Sequence, residues 1–150
     1  MIRLSRKMQL ALEAVVDVAY NARPDPVQSK EITRRQGVPQ RYLEQVMQEL
    51  VHAGVLRGVR GPRGGYRLAK DRRLVTVREI VEIVSKLEAS EDPDQESHSP
   101  LAERVIRPVL EEATRELLSR LEAITIEDLC DRADKESIPR AGGVRQDFTI

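Results

Sequence analysis

The stretch from Val55 to Ala69 constrains this chain more than any other. Val55-Leu56-Arg57-Gly58-Val59-Arg60 and Tyr66-Arg67-Leu68-Ala69 read as two short strands, and Gly61-Pro62-Arg63-Gly64-Gly65 between them reads as a turn. The result is a basic hairpin, with Arg57, Arg60, Arg63 and Arg67 crowded into eleven residues. Such a concentration of cations needs an explanation, and the segments before it supply the context.

Those segments are helical in pattern. Ser5 is placed to cap a first helix in which Met8, Leu12, Val15, Val16 and Ala19 fall on one apolar face. After the turn Arg23-Pro24-Asp25-Pro26, Ser29 is placed to cap a short second helix with Glu31 in its first turn, and Gly37 suits a left-handed stop. Pro39 fits the first position of a third helix, whose Leu43, Val46, Met47, Leu50 and Val51 form an apolar stripe ended by Gly54. A short helix, a tight turn with glycine and a second amphipathic helix make a helix-turn-helix unit. Followed by the basic hairpin, it predicts a winged helix: a mainly α fold with one small β-hairpin.

Thr76 and Glu79 have the spacing of a capping box, opening a helix with Ile80, Ile83, Val84 and Leu87 on one face. Residues 88–100 are nearly free of apolar side chains and are expected to form an acidic loop. Beyond it, Ile106, Leu110, Ala113, Leu117, Leu121 and Ile124 recur at steps of four and three, the seam of a long helix that Pro108 should kink or delay. The short helix opened by Thr125 and Asp128 leaves too little chain to cover that seam. A second subunit is the expected cover, the alternative being packing on the first helix of the same chain. The expected division is a winged helix-turn-helix over 1–87, the loop over 88–100, the dimerisation helix and a short terminal helix over 101–133, and a disordered tail over 134–150.

The formal net charge of the 150 residues is zero, but the two halves have opposite signs. Residues 1–75 hold 15 Lys and Arg against 7 Asp and Glu, and residues 76–150 hold 10 against 18. A polyanion would choose the first half. Aromatics are only 3% of the chain, which argues against RNA binding on stacked aromatic platforms. With His52 and His98 the only histidines, no phosphate-binding glycine loop before a helix and no nucleophile motif, no catalytic reading is expected. Glu13 and Asp17 interrupt the apolar start, so no signal peptide is read there; nor is a membrane span, and the expected location is cytoplasmic.

Four groups of residues together resemble one bacterial regulator family. They are Tyr42-Leu43-Glu44-Gln45, the helix end Ala53-Gly54-Val55-Leu56, Arg60-Gly61-Pro62 with Gly64-Gly65-Tyr66, and Ile124-Thr125-Ile126-Glu127-Asp128-Leu129. The family is the winged-helix regulators that include the iron-sulfur cluster assembly regulator, the nitric-oxide-responsive repressor and the master regulator of cysteine metabolism (IscR, NsrR and CymR), and the resemblance covers about residues 1–133. It implies a homodimeric, sequence-specific regulator of transcription, a repressor on a palindromic operator in double-stranded DNA. The third helix would enter the major groove, Tyr42, Glu44 and Gln45 would lie near bases or phosphates, and Arg60 would approach the minor groove. Glu can accept from cytosine, Gln can pair with adenine, and Arg senses a narrow minor groove. Gln40 and Arg41, at the exposed start of that helix, join them as further contacts.

Other readings stand beside these. Tyr42 can pack on the second helix, Glu44 can be a solvated acid, and the winged helix can serve as a protein-interaction module without an operator. Arg63 stands where the family usually has glycine, which brings the conformation of the wing tip into question. The cluster-binding members carry three cysteines before the long helix, whereas Cys130 is the only cysteine here and lies elsewhere. The expectation is a protein without that cofactor or any metal site, with His98 solvated, Cys130 packed in the core, and a metabolite, a partner protein or nothing as its signal.

Overall fold

The computed structural model describes residues 4–22, 24–91 and 96–141. Its elements in order are α1 (Arg6–Tyr20), α2 (Ser29–Gln36), α3 (Arg41–His52), β1 (Leu56–Val59), β2 (Gly65–Leu68), α4 (Val77–Glu91), a π-helical turn (Ala102–Ile106), α5 (Arg107–Glu122) and α6 (Ile126–Lys135). The order is that of a winged helix followed by a helical arm.

Ser5 does cap α1, accepting from the Met8 N–H at 3.2 Å. The buried face of the helix is rotated from the expected one, however: Ala11, Ala14, Val15 and Val18 are buried, while Met8, Leu12 and Val16 are only partly covered. The two alanines explain this, since a side chain ending at Cβ lets neighbouring helices approach closely. Ser29 is the first residue of α2 rather than its cap; Gln28 holds that position without a side-chain bond. Gly37 closes α2 at φ 70°, a left-handed conformation that suits glycine. Pro39 stays outside α3, its carbonyl accepting from the Tyr42 N–H at 3.1 Å.

The hairpin pairs antiparallel, with Leu56 opposite Leu68, Arg57 opposite Arg67, Gly58 opposite Tyr66 and Val59 opposite Gly65. Val27 extends it by one bridge to Tyr66, through N–H···O bonds of 3.0 and 2.7 Å. That close approach requires glycine next to Tyr66, because a Cβ on Gly65 would stand 2.4 Å from the Val27 carbonyl oxygen.

The core runs through α1, α3, α4 and α6, and Ile126 and Cys130 of α6 are 0% and 2% exposed within it. Residues 101–133 therefore do not form one separate unit, because α6 folds back into the winged domain. An antiparallel bridge between Thr76 and Thr125 and an Ile126 N–H···O bond to Val75 (2.9 Å) fasten it there. The expected second capping box is formed, Thr125 and Asp128 each accepting from the other's N–H. At the first, Thr76 accepts from the Glu79 N–H, but the Glu79 carboxylate turns to Lys70 instead.

Two expected boundaries move. Helix α4 continues through Glu88–Glu91, where the loop had been expected, because Ser5 donates to Glu88 at 2.5 Å and Lys7 pairs with Glu91 at 2.8 Å. At the other end, α6 includes Asp134 and Lys135, and residues 136–141 lie against α1 instead of forming a disordered tail. The Tyr20 hydroxyl donates to the Ile138 carbonyl (2.6 Å), the Ala141 N–H donates to the Asn21 side chain (2.7 Å), and Arg140 covers the Tyr20 ring. The remainder of the expected tail, 142–150, and part of the acidic loop, 92–95, lie outside the described residues.

Pro108 stands in the first turn of α5, and the chain before it is already helical but passes through a π turn, with the Arg107 N–H bonding to the Ala102 carbonyl five residues back. A proline lacks an N–H and its ring crowds the carbonyl four residues earlier, and a widened turn relieves both. None of the described helices is long and apolar enough to cross a membrane.

Candidate nucleic-acid interface

Helix α3 is divided cleanly by burial. Leu43, Val46, Met47 and Leu50 are buried, and Gln40, Arg41, Tyr42, Glu44 and Gln45 are all exposed. The outermost line of the helix runs through Arg41, Gln45, Gln48 and His52, which are spaced i, i+4, i+7 and i+11. Gln48 and His52 escaped the sequence reading, although continuing that spacing from Arg41 finds both.

Tyr42 is 51% exposed and has two guanidinium groups near its ring, Arg6 at 5.9 Å and Arg41 at 5.4 Å from the centroid. Arg6 comes from the first turn of α1, and no local pattern points to its place on this surface. Glu44 makes no ion pair among the described residues and sits on the side of α3 that carries Gln40 and Val51.

That side of α3 faces the wing across a groove of about 580 Å3. Gln40 and Val51 form one wall, Val59 and Arg60 the other, and Lys30 of α2 closes one end. The groove thus brings together two of the residues singled out from sequence, Gln40 and Arg60, and adds Lys30. Arg63 projects at the wing tip in the turn closed by a Gly64 N–H···O bond to Gly61 (2.9 Å). Only Gly61 there has a positive φ, so Arg63 occupies ordinary backbone and its presence leaves the tip unstrained.

Arg57 and Arg67 do not line this groove. Their register makes them direct cross-strand neighbours, and the twofold alternation of a strand turns both toward a separate cleft of about 300 Å3 with Asp25 and Arg72. Arg67 is half-buried, its guanidinium donating to the Pro24 carbonyl. The four wing arginines therefore do not form one cluster: Arg57 and Arg67 share the cleft, Arg60 lines the groove and Arg63 stands at the tip.

Helix α5 has no buried residue. Of the seam, Ile106 is 50%, Leu110 60% and Leu117 43% exposed; Ala113 is also exposed, and only Leu121 and Ile124 are half-buried. The helix runs antiparallel to α4, with Arg78 and Glu122 joined at 2.9 Å where the two meet. Its apolar stripe is thus uncovered along most of its length.

Cys130 lies in the core between α1 and α6, and burial pushes its thiol upward despite the lowering effect of Arg72. Exposed His98 contacts Glu103 at 3.3 Å. Among the described residues no three His, Cys, Asp or Glu side chains converge as metal ligands. One buried thiol on α6 does not match a three-thiolate site ahead of the long helix.

Comparison with known proteins agrees with this architecture. A family model described as "Rrf2: Iron-dependent Transcriptional regulator" matches residues 4–132. The HTH-type transcriptional regulator IscR of Escherichia coli (strain K12 / DH10B) is 40% identical over 85 residues, which are 57% of this chain and 52% of that protein. The chain thus spans about half the length of the curated relatives it matches. Among solved structures, T. potens IscR superposes with a TM-score of 0.72 at 28% identity, covering 93% of this chain and 94% of the other. CymR (YrzC), the global cysteine regulator of B. subtilis, superposes with a TM-score of 0.65 at 26% identity over 88% and 98%.

Proposed function

Because this chain belongs to the Rrf2 family of transcriptional regulators, we propose that it acts as a homodimeric repressor, holding a palindromic operator through α3 and the wing of each subunit. The observation that carries the reading is the groove with Gln40 on one wall and Arg60 on the other. In this reading the line Arg41, Gln45, Gln48 and His52 enters the major groove, and Arg60 follows the adjoining minor groove. Arg6, Lys30 and Arg41 bind phosphates, which supplies the salt-dependent part of the affinity. Glu44 weakens phosphate binding wherever it is not paired with a base, so its value is in selectivity.

The exposed stripe of α5 supports the dimer. Apolar side chains half or more exposed along one helix mark an interaction surface, and a twofold-related α5 presents the same stripe. Covering a half-exposed Leu or Ile contributes about 1 kcal/mol. Several such residues on each of two subunits support a stable pair. The donor set supports a regulator without a thiolate-held cluster, so its signal is a small molecule or a partner protein.

The test is recovery of genomic fragments by the purified protein. Sites with dyad symmetry, bound by two subunits with an affinity that falls steeply with salt, are expected. Fragments without common sequence, or wing variants that lose a protein partner while keeping DNA affinity, would favour a protein-interaction module instead. In the same assay Glu44→Ala should change the order of preference among sites more than the affinity for any one of them.

A further inference from the structure

The face of α1 that the core leaves partly uncovered is not open surface. Leu12 and Val16 form the floor of a groove of about 730 Å3, with Leu129 and Ala133 of α6 as one wall and Ile138 and Pro139 of the terminal segment closing one end. These six side chains are apolar, and the volume is that of a small-molecule site. The charges along its edge are unequal. Asp17 is held by Arg35 at 2.6 and 2.7 Å, and that guanidinium also reaches Glu31 at 3.7 Å. Glu13 makes no ion pair among the described residues, and burial together with Asp17 raises its pKa. Arg140, over the Tyr20 ring that also lines the groove, is paired with Asp134 at 3.5 Å, so the Glu13 carboxylate is left as the uncompensated charge beside the apolar floor.

We propose that this groove binds a small amphiphilic cation, an amine whose apolar body lies between α1 and α6 and whose ammonium group sits against the Glu13 carboxylate. A carboxylate ligand would face Glu13 and Asp17 with Arg35 already engaged. The position suits a regulator: α6 continues from the arm helix α5, and α1 supports α3 and supplies Arg6 to its surface. A molecule that prefers one setting of α6 against α1 shifts the two recognition helices by that difference in affinity. The consequence rests on the regulator reading, but the binding itself is independent of DNA.

The experiment is amide NMR of the full-length protein, titrated separately with n-octylamine and n-octanoate in the absence of DNA. Octylamine should move the signals of Leu12–Val16 and Leu129–Ala133 saturably, with octanoate about tenfold weaker, the value of one charge-assisted hydrogen bond. Glu13→Gln should remove that preference while leaving the other signals of α1 and α6 in place. The proposal is overturned by the absence of saturable shifts, by equal binding of octanoate, or by an unchanged preference in Glu13→Gln. It is overturned equally if the groove signals move on deletion of residues 142–150 or on dilution, because the groove would then belong to the chain's own end or to a second copy.

Discussion

Arg6 and Tyr42 meet across the surface of the helix-turn-helix, the guanidinium carbon 5.9 Å from the ring centroid. The first turn of α1 and the first turn of α3 thus present a shared cationic patch, which Arg41 completes at 5.4 Å from the same ring. An exposed cation–π contact contributes about 0.5–1 kcal/mol, enough to set the direction of two long side chains. Tyr42→Phe keeps the ring and should preserve most of the operator affinity, whereas Tyr42→Ala should weaken binding by about 0.5–1 kcal/mol. Fluorescence anisotropy on the recovered operator measures both. An equal loss in the two variants would assign the effect to the hydroxyl.

The two faces of the wing should respond differently to mutation. Arg60→Ala is expected to weaken operator binding by about 1–3 kcal/mol and to reduce the slope against salt by about one. Arg67→Ala leaves the Pro24 carbonyl without its donor, so its effect should appear in the melting temperature rather than in the salt slope. If Arg67→Ala instead matches Arg60→Ala on DNA while the melting temperature stays constant, the division of the wing arginines is wrong.

Leu110 is 60% exposed on the arm and touches no core. Leu110→Glu should therefore leave the helical circular dichroism intact while converting the protein to monomers in light scattering, since each dimer would place two carboxylates in an apolar seam. Operator affinity should fall with it, as one half-site alone is held. A dimer that survives the substitution would remove α5 from the interface.

Acid should loosen the fold through two exposed carboxylates. The Arg73 side chain and N–H hold Asp71 at about 2 rather than the usual 3.8, and the Thr125 N–H and hydroxyl hold Asp128 below its ordinary value. A group depressed in the folded state adds stability above its unfolded pKa and loses it as pH falls through the folded one. Glu13, which is raised, has the opposite sign: its contribution is present below its usual 4.5 and lost as pH rises through the raised value. Urea midpoints should thus decline between about pH 4 and about pH 2. The decline should be shallower in Asp128→Asn, whose amide oxygen still accepts the Thr125 N–H. An unchanged slope in that variant would exclude the capping box as a source.

Much of this molecule is legible in the chain because its signals are local. Gly37 marks the stop of α2, the stripe from Leu43 to Leu50 marks the inner face of α3, and Thr125 with Asp128 marks the start of α6. Other features are not legible, for identifiable reasons. The small side chains of Ala11 and Ala14 carry little hydrophobic signal, yet they permit the closest packing, so the larger neighbours point to a rotated face of α1. Ile126 and Cys130 are too few to reveal where α6 is buried. Arg57, Arg60, Arg63 and Arg67 look like a single basic cluster until strand register pairs Arg57 with Arg67 and leaves the other two beyond the strands.

The sequence by itself determined that a helix-turn-helix precedes a basic hairpin and that a long helix carries an apolar seam. Capping, glycine geometry and periodicity act within one element, and each leaves its mark at fixed spacing. Only the tertiary structure decided that Arg6 joins Tyr42, that Gln40 faces Arg60, that α6 belongs to the head and that an acidic-edged groove opens between α1 and α6. Hydrophobic burial has no direction of its own. A pattern can show that a face must be covered, but the element that covers it depends on how the whole chain packs.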